Sequence, residues 1–354
     1  MKSARARRSV DGRRCGRPAD RLVAALAVVL LLVAGGCSAG SEDRTVEVGF
    51  YAFFEPVSSS ADTDPESSGF DTHIGYEADL LTAIEAMEGY GLRFNRTAIS
   101  QWTGIWLRPV ADEFDLVGGG ITILEARTRD ESGDTVVAFT DGHIDFSQSL
   151  LVRVEDAARL PDHDALLPTD VVGVLPNTTG EARLLQILGV TDDEGGLAAG
   201  TRIDTPSGPV TVEADRSLVI SAARVSPELG LRTRLMPAEA HRPQVLYLGE
   251  EPGAEVGEAV LLAALSEGTI DAIARGTAGN TLAAAASGGA FVVTARDSRP
   301  ERGGFVVDID DTTLLRQINQ AVAWLTDGGR IGMAEWLADQ RVFLDRAARW
   351  DGGS

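Results

Sequence analysis

Lysine is almost missing from this chain: Lys2 is the only one in 354 residues. Cysteine is scarce as well, confined to Cys15 and Cys37. An exported chain that loses its first residues keeps only Cys37, so no internal disulfide staples the fold. Long apolar runs are also lacking. The longest, Leu22 to Ala34, falls short of the roughly 17–25 residues a membrane-crossing helix needs. The histidines are His73, His143, His163 and His241, scattered without H-E-x-x-H spacing, and neither G-x-S-x-G nor a phosphate loop occurs. No metal and no cofactor is expected. Of 32 basic residues eight lie in the first 21 positions, where only two of the 53 acids fall. The remainder carries 24 arginines against 51 acids, which excludes nucleic acid and anionic surfaces as partners because no basic patch displaces counterions.

What is present begins with an export signal: Lys2 and seven arginines through Arg21, then the apolar run, then small residues. The stretch Val33-Ala34-Gly35-Gly36-Cys37 resembles a bacterial lipobox, with Ala34 where leucine is usual. The resemblance implies cleavage after residue 36 and lipid on Cys37, which also explains a lone exported cysteine. Residues 37–44 are small and polar, as a flexible tether would be. The expectation is an exported monomer held to the outer face of the membrane through its lipid alone.

Further on, Thr45 to Phe50 alternates like a strand, and Leu80, Leu81, Ile84 and Met87 have helical spacing. Leu92 to Phe94 is a strand, Trp102 to Val110 a short helix, and Phe114 to Val117 a strand running into Gly118-Gly119-Gly120. This β-α-β-α-β order builds a mostly parallel sheet flanked by helices. Asp170 to Leu175 and Thr179 to Leu188 open a second such unit. Residues 190–242 are irregular, with hairpin-like pieces at Val210–Val212 and Leu218–Ile220. Late helices are expected from Asp311, whose side chain suits a cap, and over 329–345.

Several segments, in order, resemble the extracellular solute-binding proteins of polar-amino-acid ABC importers. Ile74-Gly75-Tyr76-Glu77-Ala78-Asp79-Leu80 is similar to V-G-F-D-V-D-L, and Ile121-Thr122-Ile123-Leu124-Glu125-Ala126-Arg127 to M-T-I-T-P-E-R. Phe139 to Arg153, Val172 to Glu181 and Gly268 to Ala272 find counterparts too. The resemblance implies an α/β, two-lobed, type II periplasmic-binding-protein-like fold. Lobe one would be 45–149 with 299–350, and lobe two 150–298 with an insertion over about 190–242. It also implies hinge closure on a small carboxylate-bearing solute and delivery to ABC permease subunits.

Site residues follow from the same motif positions. Arg127 takes the place of the planar fork that grips a carboxylate. Thr122 and Gly120 stand where the family supplies a hydroxyl and backbone contact, and Thr179 where the opposite lobe donates at a helix start. Phe54 matches a stacking aromatic and Trp102 a pocket wall. The ammonium contact is missing. The family's acid of lobe two falls on Gly276, and its acid after the first strand on Tyr51. Either an acid elsewhere, such as Glu55 or Asp145, takes the amine, or the solute has none; Arg275 nearby would favour a second carboxylate. His143 with Asp141 and Asp145 forms the only tempting catalytic cluster and is read as a polar loop. The expectation is a binding protein without catalytic residues. A periplasmic dehydratase on the same fold and a sensor domain are the rival readings.

Overall fold

The computed structural model describes residues 43–214, 217–248 and 258–352. The export signal, Cys37 and most of the tether lie outside them. Among the described residues no helix is long and apolar enough to cross a membrane.

The first sheet grows from the strand Arg44–Tyr51, whose Val46, Val48 and Phe50 are fully buried. It pairs in parallel with Leu92–Ile99 on one side and Leu116–Gly118 on the other. Val306–Asp308 and Val137–Phe139 are then added antiparallel. The helix Tyr76–Ala86 lays Leu80, Leu81, Ala83 and Ile84 against this sheet. Thr312–Leu325 does the same with Leu314, Ile318, Val322 and Leu325, a spacing that puts all four on one face. Full burial of each such leucine or isoleucine contributes about 1.5–3 kcal/mol. Asp311 caps that helix by accepting from the Leu314 N–H at 2.9 Å, as its position suggested, and also binds Arg44.

The second sheet has eight strands with Val171–Val174 near its centre, parallel to Gln244–Tyr247 and Ala272–Gly276. The chain enters it through Gln148–Arg153 and leaves after Phe291–Thr294, both antiparallel. Between the sheets, Ile144–Phe146 pairs with Glu301–Gly303 as a two-stranded ribbon. Both sheets are therefore mixed and not mostly parallel. Only the β-α-β centres are parallel; the crossing segments pair antiparallel with strands distant in the chain, and the insertion adds antiparallel strands of its own. Within the insertion, Arg202–Thr205, Gly208–Thr211 and Arg234–Met236 extend the second sheet beyond Gln244–Tyr247.

Other elements depart from the sequence reading in small ways. The helix expected over Trp102 to Val110 is a 3₁₀ segment, Ile105–Ala111, with Pro109 inside it. The single helix over 329–345 is two, Met333–Ala338 and Val342–Ala347. The Asp339 carboxylate accepts from the Arg341 N–H at 3.0 Å, a local turn that competes with helix continuation.

His73 is stacked on Phe50 at 4.0 Å, with Nε2 2.9 Å from Ser58 Oγ. The Ser58 hydroxyl spends its hydrogen on the Tyr51 carbonyl, so Nε2 carries the ring proton and Nδ1 is left without a partner among the described residues. Burial pushes the imidazole down to about 3 from 6.5, with Arg96 adding to it. Below 6.5 the unfolded chain takes up a proton that the folded one refuses, so stability is complete above that pH and falls as pH drops. At 1.36 kcal/mol per unit, the expected loss between pH 6.5 and 5 is about 2 kcal/mol. Urea midpoints of wild type and His73→Gln across that range test it. The variant should lack this part of the slope.

Candidate functional site

Between the two sheets lies a cavity of about 200 Å³, small enough to suit a solute of amino-acid size. Gly119 and Gly120 follow the strand Leu116–Gly118 with φ of 131° and 67°. A Cβ on Gly119 would meet the Tyr51 Cβ at 2.4 Å, and one on Gly120 the Phe54 ring at 2.6 Å, so only glycine lets these walls approach. Their N–H groups donate to the Glu77 carboxylate at 2.6 and 3.0 Å. His143 Nε2 sits 2.9 Å from the same carboxylate, fully enclosed and stacked on Phe305. His143 is thus no polar loop. It is part of a buried support beneath the glycines, while Asp145 is exposed beside Arg302.

Phe54, Trp102, Gly120, Thr122 and Thr179 all line the cavity. Trp102 bridges the two halves, its Nε1 donating to the Asn177 carbonyl at 3.0 Å, while Asn177 Nδ2 donates to Thr103 Oγ1 at 2.9 Å. Thr178 caps the helix Thr179–Ile187, accepting from the Glu181 N–H. Thr179 is thereby freed from capping, and its hydroxyl accepts from Gln148 Nε2 at 3.2 Å.

Arg127 does not line this cavity. It rises from the short turn Glu125–Thr128 and is fully buried, its guanidinium 4.5 Å from the Trp106 ring centre and 5.5 Å from that of Trp102. Nε and Nη2 both donate to the carbonyl of Ala222, at 3.2 and 2.9 Å, and Nη1 donates to the Thr122 carbonyl. Ala222 belongs to the tip of the insertion. Ile220 and Val225 pair across that tip, and Ser221 Oγ accepts from the N–H groups of Ala223 and Arg224. No sequence signal announced this contact, which spans 95 positions. Burial pulls the arginine down to about 9, opposed by Glu301.

The two arginines that do line the cavity, Arg232 and Arg275, are already engaged. Arg232, also from the insertion, grips Glu181 through Nε and Nη2 at 2.7–2.9 Å and lies over the Tyr247 ring at 4.6 Å. Burial works against its charge, yet Glu181 holds it above the usual arginine range, and burial keeps Tyr247 protonated. Arg275 reaches Glu258 at 2.5 Å and Asn280 at 2.7 Å, so it is not free to take a second carboxylate. Gly276 faces Phe54. Glu55 is exposed.

Comparison with known proteins follows the same outline. No curated protein matches the sequence. Among solved structures, holo ArgBP from T. maritima superposes with a TM-score of 0.50 at 19% identity, covering 83% of this chain and 96% of that one. The arginine-, lysine-, histidine-binding protein ArtJ from Geobacillus stearothermophilus gives 0.51 at 15% identity, covering 88% and 96%. AncCDT-1, an ancestral amino acid-binding protein and precursor of cyclohexadienyl dehydratase, gives 0.51 at 18%, covering 86% and 95%. At such identities the likeness shows the two-lobed α/β fold. The family's sequence profile matches residues 46–336, and the chain belongs to the bacterial extracellular solute-binding proteins, family 3.

Proposed function

We propose that this protein is the lipid-anchored receptor of an ABC importer and captures an amino acid between its lobes, with Cys37 bearing the lipid. The observation that carries the binding half of this reading is the cavity itself, which takes walls from both sheets and is spanned by the Trp102–Asn177 hydrogen bond. A ligand there contacts both halves and so biases the hinge between them, which is what a permease can read. In this reading Arg127 receives the ligand carboxylate once Ala222 withdraws, and Thr122, Gly120 and Thr179 add hydroxyl and backbone contacts. Phe54 and Trp102 supply the aromatic walls.

A thermal-shift screen across amino acids, dicarboxylates and deaminated analogues tests the reading. A true ligand at a hundred times its Kd should add about 2.7 kcal/mol of stability. Failure of every amino acid and dicarboxylate to shift the midpoint would sink it. Prephenate-like acids should emerge unchanged from incubation with the protein, as a receptor and not a dehydratase requires. The anchor is tested separately: Cys37→Ser should move the protein from the membrane to the soluble fraction.

Gly276 offers a gain-of-function check. Its backbone, φ −52° and ψ 134°, accepts any residue, and a Cβ would stand 3.7 Å from Phe54. Gly276→Asp restores the family's acid at the start of the helix Thr277–Ala286, where aspartate also caps well. Affinity for an α-amino ligand should rise about tenfold, the equivalent of about 1.4 kcal/mol, measured by calorimetry.

A further inference from the structure

We infer that Glu301, together with Gln148, forms the ammonium subsite of this cleft, in place of the acid that Gly276 has lost. The inference rests on the receptor reading above and extends it to the ligand's other pole. Thr122 carries Arg127 on its carbonyl and Glu301 on its hydroxyl, at 3.2 and 3.3 Å. A cationic fork and a carboxylate thus flank one residue, a pairing of opposite charges that complements the two poles of a zwitterion.

Gln148 gives the second observation. Its Nε2 donates to Glu301 Oε1 at 3.1 Å and to Thr179 Oγ1 at 3.2 Å, which fixes the orientation of the amide. Among the described residues Oε1 is then left with no partner, although the side chain lines the cavity and is only 5% exposed. Buried acceptors are rarely left bare. An ammonium group, with three donors and no acceptor, is the complement of a bare amide oxygen beside a carboxylate.

Glu301 is also the carboxylate with charge to spare. Glu181 is bound by Arg232 and Glu258 by Arg275, whereas among the described residues Glu301 has no ion-pair partner. Glu301 does not itself line the cavity; it is hydrogen-bonded to Thr122 and Gln148, which do, and it belongs to the ribbon Glu301–Gly303 between the two sheets. An amine held there stays near the hinge while the outer walls move.

The experiment is calorimetric titration of the purified protein with the standard amino acids, the tightest then paired with its α-deaminated and α-keto analogues. Wild type should prefer the amino acid by about 100-fold or more, as expected where buried polar groups are left unpaired by the analogue. Glu301→Gln should cut that preference to below about fivefold, while affinity for the deaminated analogue moves less than about threefold. Gln148→Leu should reduce the preference as well. A purely structural role for Glu301 would weaken both ligands together and leave the ratio intact. The inference is overturned if Glu301→Gln keeps the ratio, or if wild type takes the analogue as tightly as the amino acid. A wild type that binds dicarboxylates but no amino acid overturns the inference alone, whereas one that binds neither removes the receptor reading with it, which separates the two failures.

Discussion

Replacing Glu181 with alanine is expected to cost about 3–5 kcal/mol of folding stability, the range for stripping one partner from a buried ion pair. The Glu181 and Arg232 side chains are at most 1% exposed. The carboxylate takes the guanidinium on both oxygens and also accepts from the Asn177 N–H at 2.6 Å. Without it, Arg232 would keep only Asn177 Oδ1 and the Leu229 carbonyl, and a buried cation would face neutral acceptors. The pair also ties the helix Thr179–Ile187 to the insertion, so its loss should loosen the cavity wall. Urea unfolding measures the cost. The double variant Glu181→Leu with Arg232→Met should recover most of it, because no buried charge is then left unpaired and only the neutral Asn177 N–H loses its carboxylate acceptor. A single variant within about 1 kcal/mol of wild type would mean that water reaches the pair.

Much of the first sheet was legible because its elements are local. Val46, Val48 and Phe50 alternate, and Leu80, Leu81 and Ile84 recur at helical spacing, so periodicity alone places them. The cavity-lining positions Phe54, Trp102, Gly120, Thr122 and Thr179 came from motif order, with no knowledge of distance. What stayed hidden is what depends on distant pairing. Glu301 meets Thr122 across 179 positions and Gln148 across 153. Arg232 sits in a segment whose glycines and prolines read as turns, and it reaches Glu181 across 51. The burial of His143 was missed because Asp141 and Asp145 gave its neighbourhood a polar look, while its real partner, Glu77, lies on a helix in another part of the chain. Of the insertion, the hairpin-like piece at Val210–Val212 overlaps the antiparallel strand Gly208–Thr211, but its joining to the second sheet stayed hidden because that depends on pairing with Gln244–Tyr247 through Arg234–Met236.

Arg127 itself carries the largest effect expected on binding, and the insertion tip decides how that effect is seen. Among the described residues, a guanidinium buried between Trp102 and Trp106 has only carbonyls as acceptors, and Glu301 supports its charge without touching it. Even drawn down to about 9 by burial, it remains charged at neutral pH. A ligand carboxylate offers it a charge-assisted bond roughly twice as strong as a neutral one, but must first displace Ala222. If the tip fills the fork 90–99% of the time, exchanging Ser221–Arg224 for two glycines should tighten carboxylate binding by about 10–100-fold. Arg127→Ala should instead cost about 2–5 kcal/mol of affinity, the range for truncating one partner of a desolvated charge pair. The cycle is the decisive measurement: in the Arg127→Ala background, shortening the tip should change affinity by less than about 0.5 kcal/mol, because the fork it guarded is gone. Calorimetry on the four proteins reads all three numbers. Should the shortened tip weaken binding in the presence of Arg127, Ala222 is a fixed part of the cavity wall, and the carboxylate must be held elsewhere.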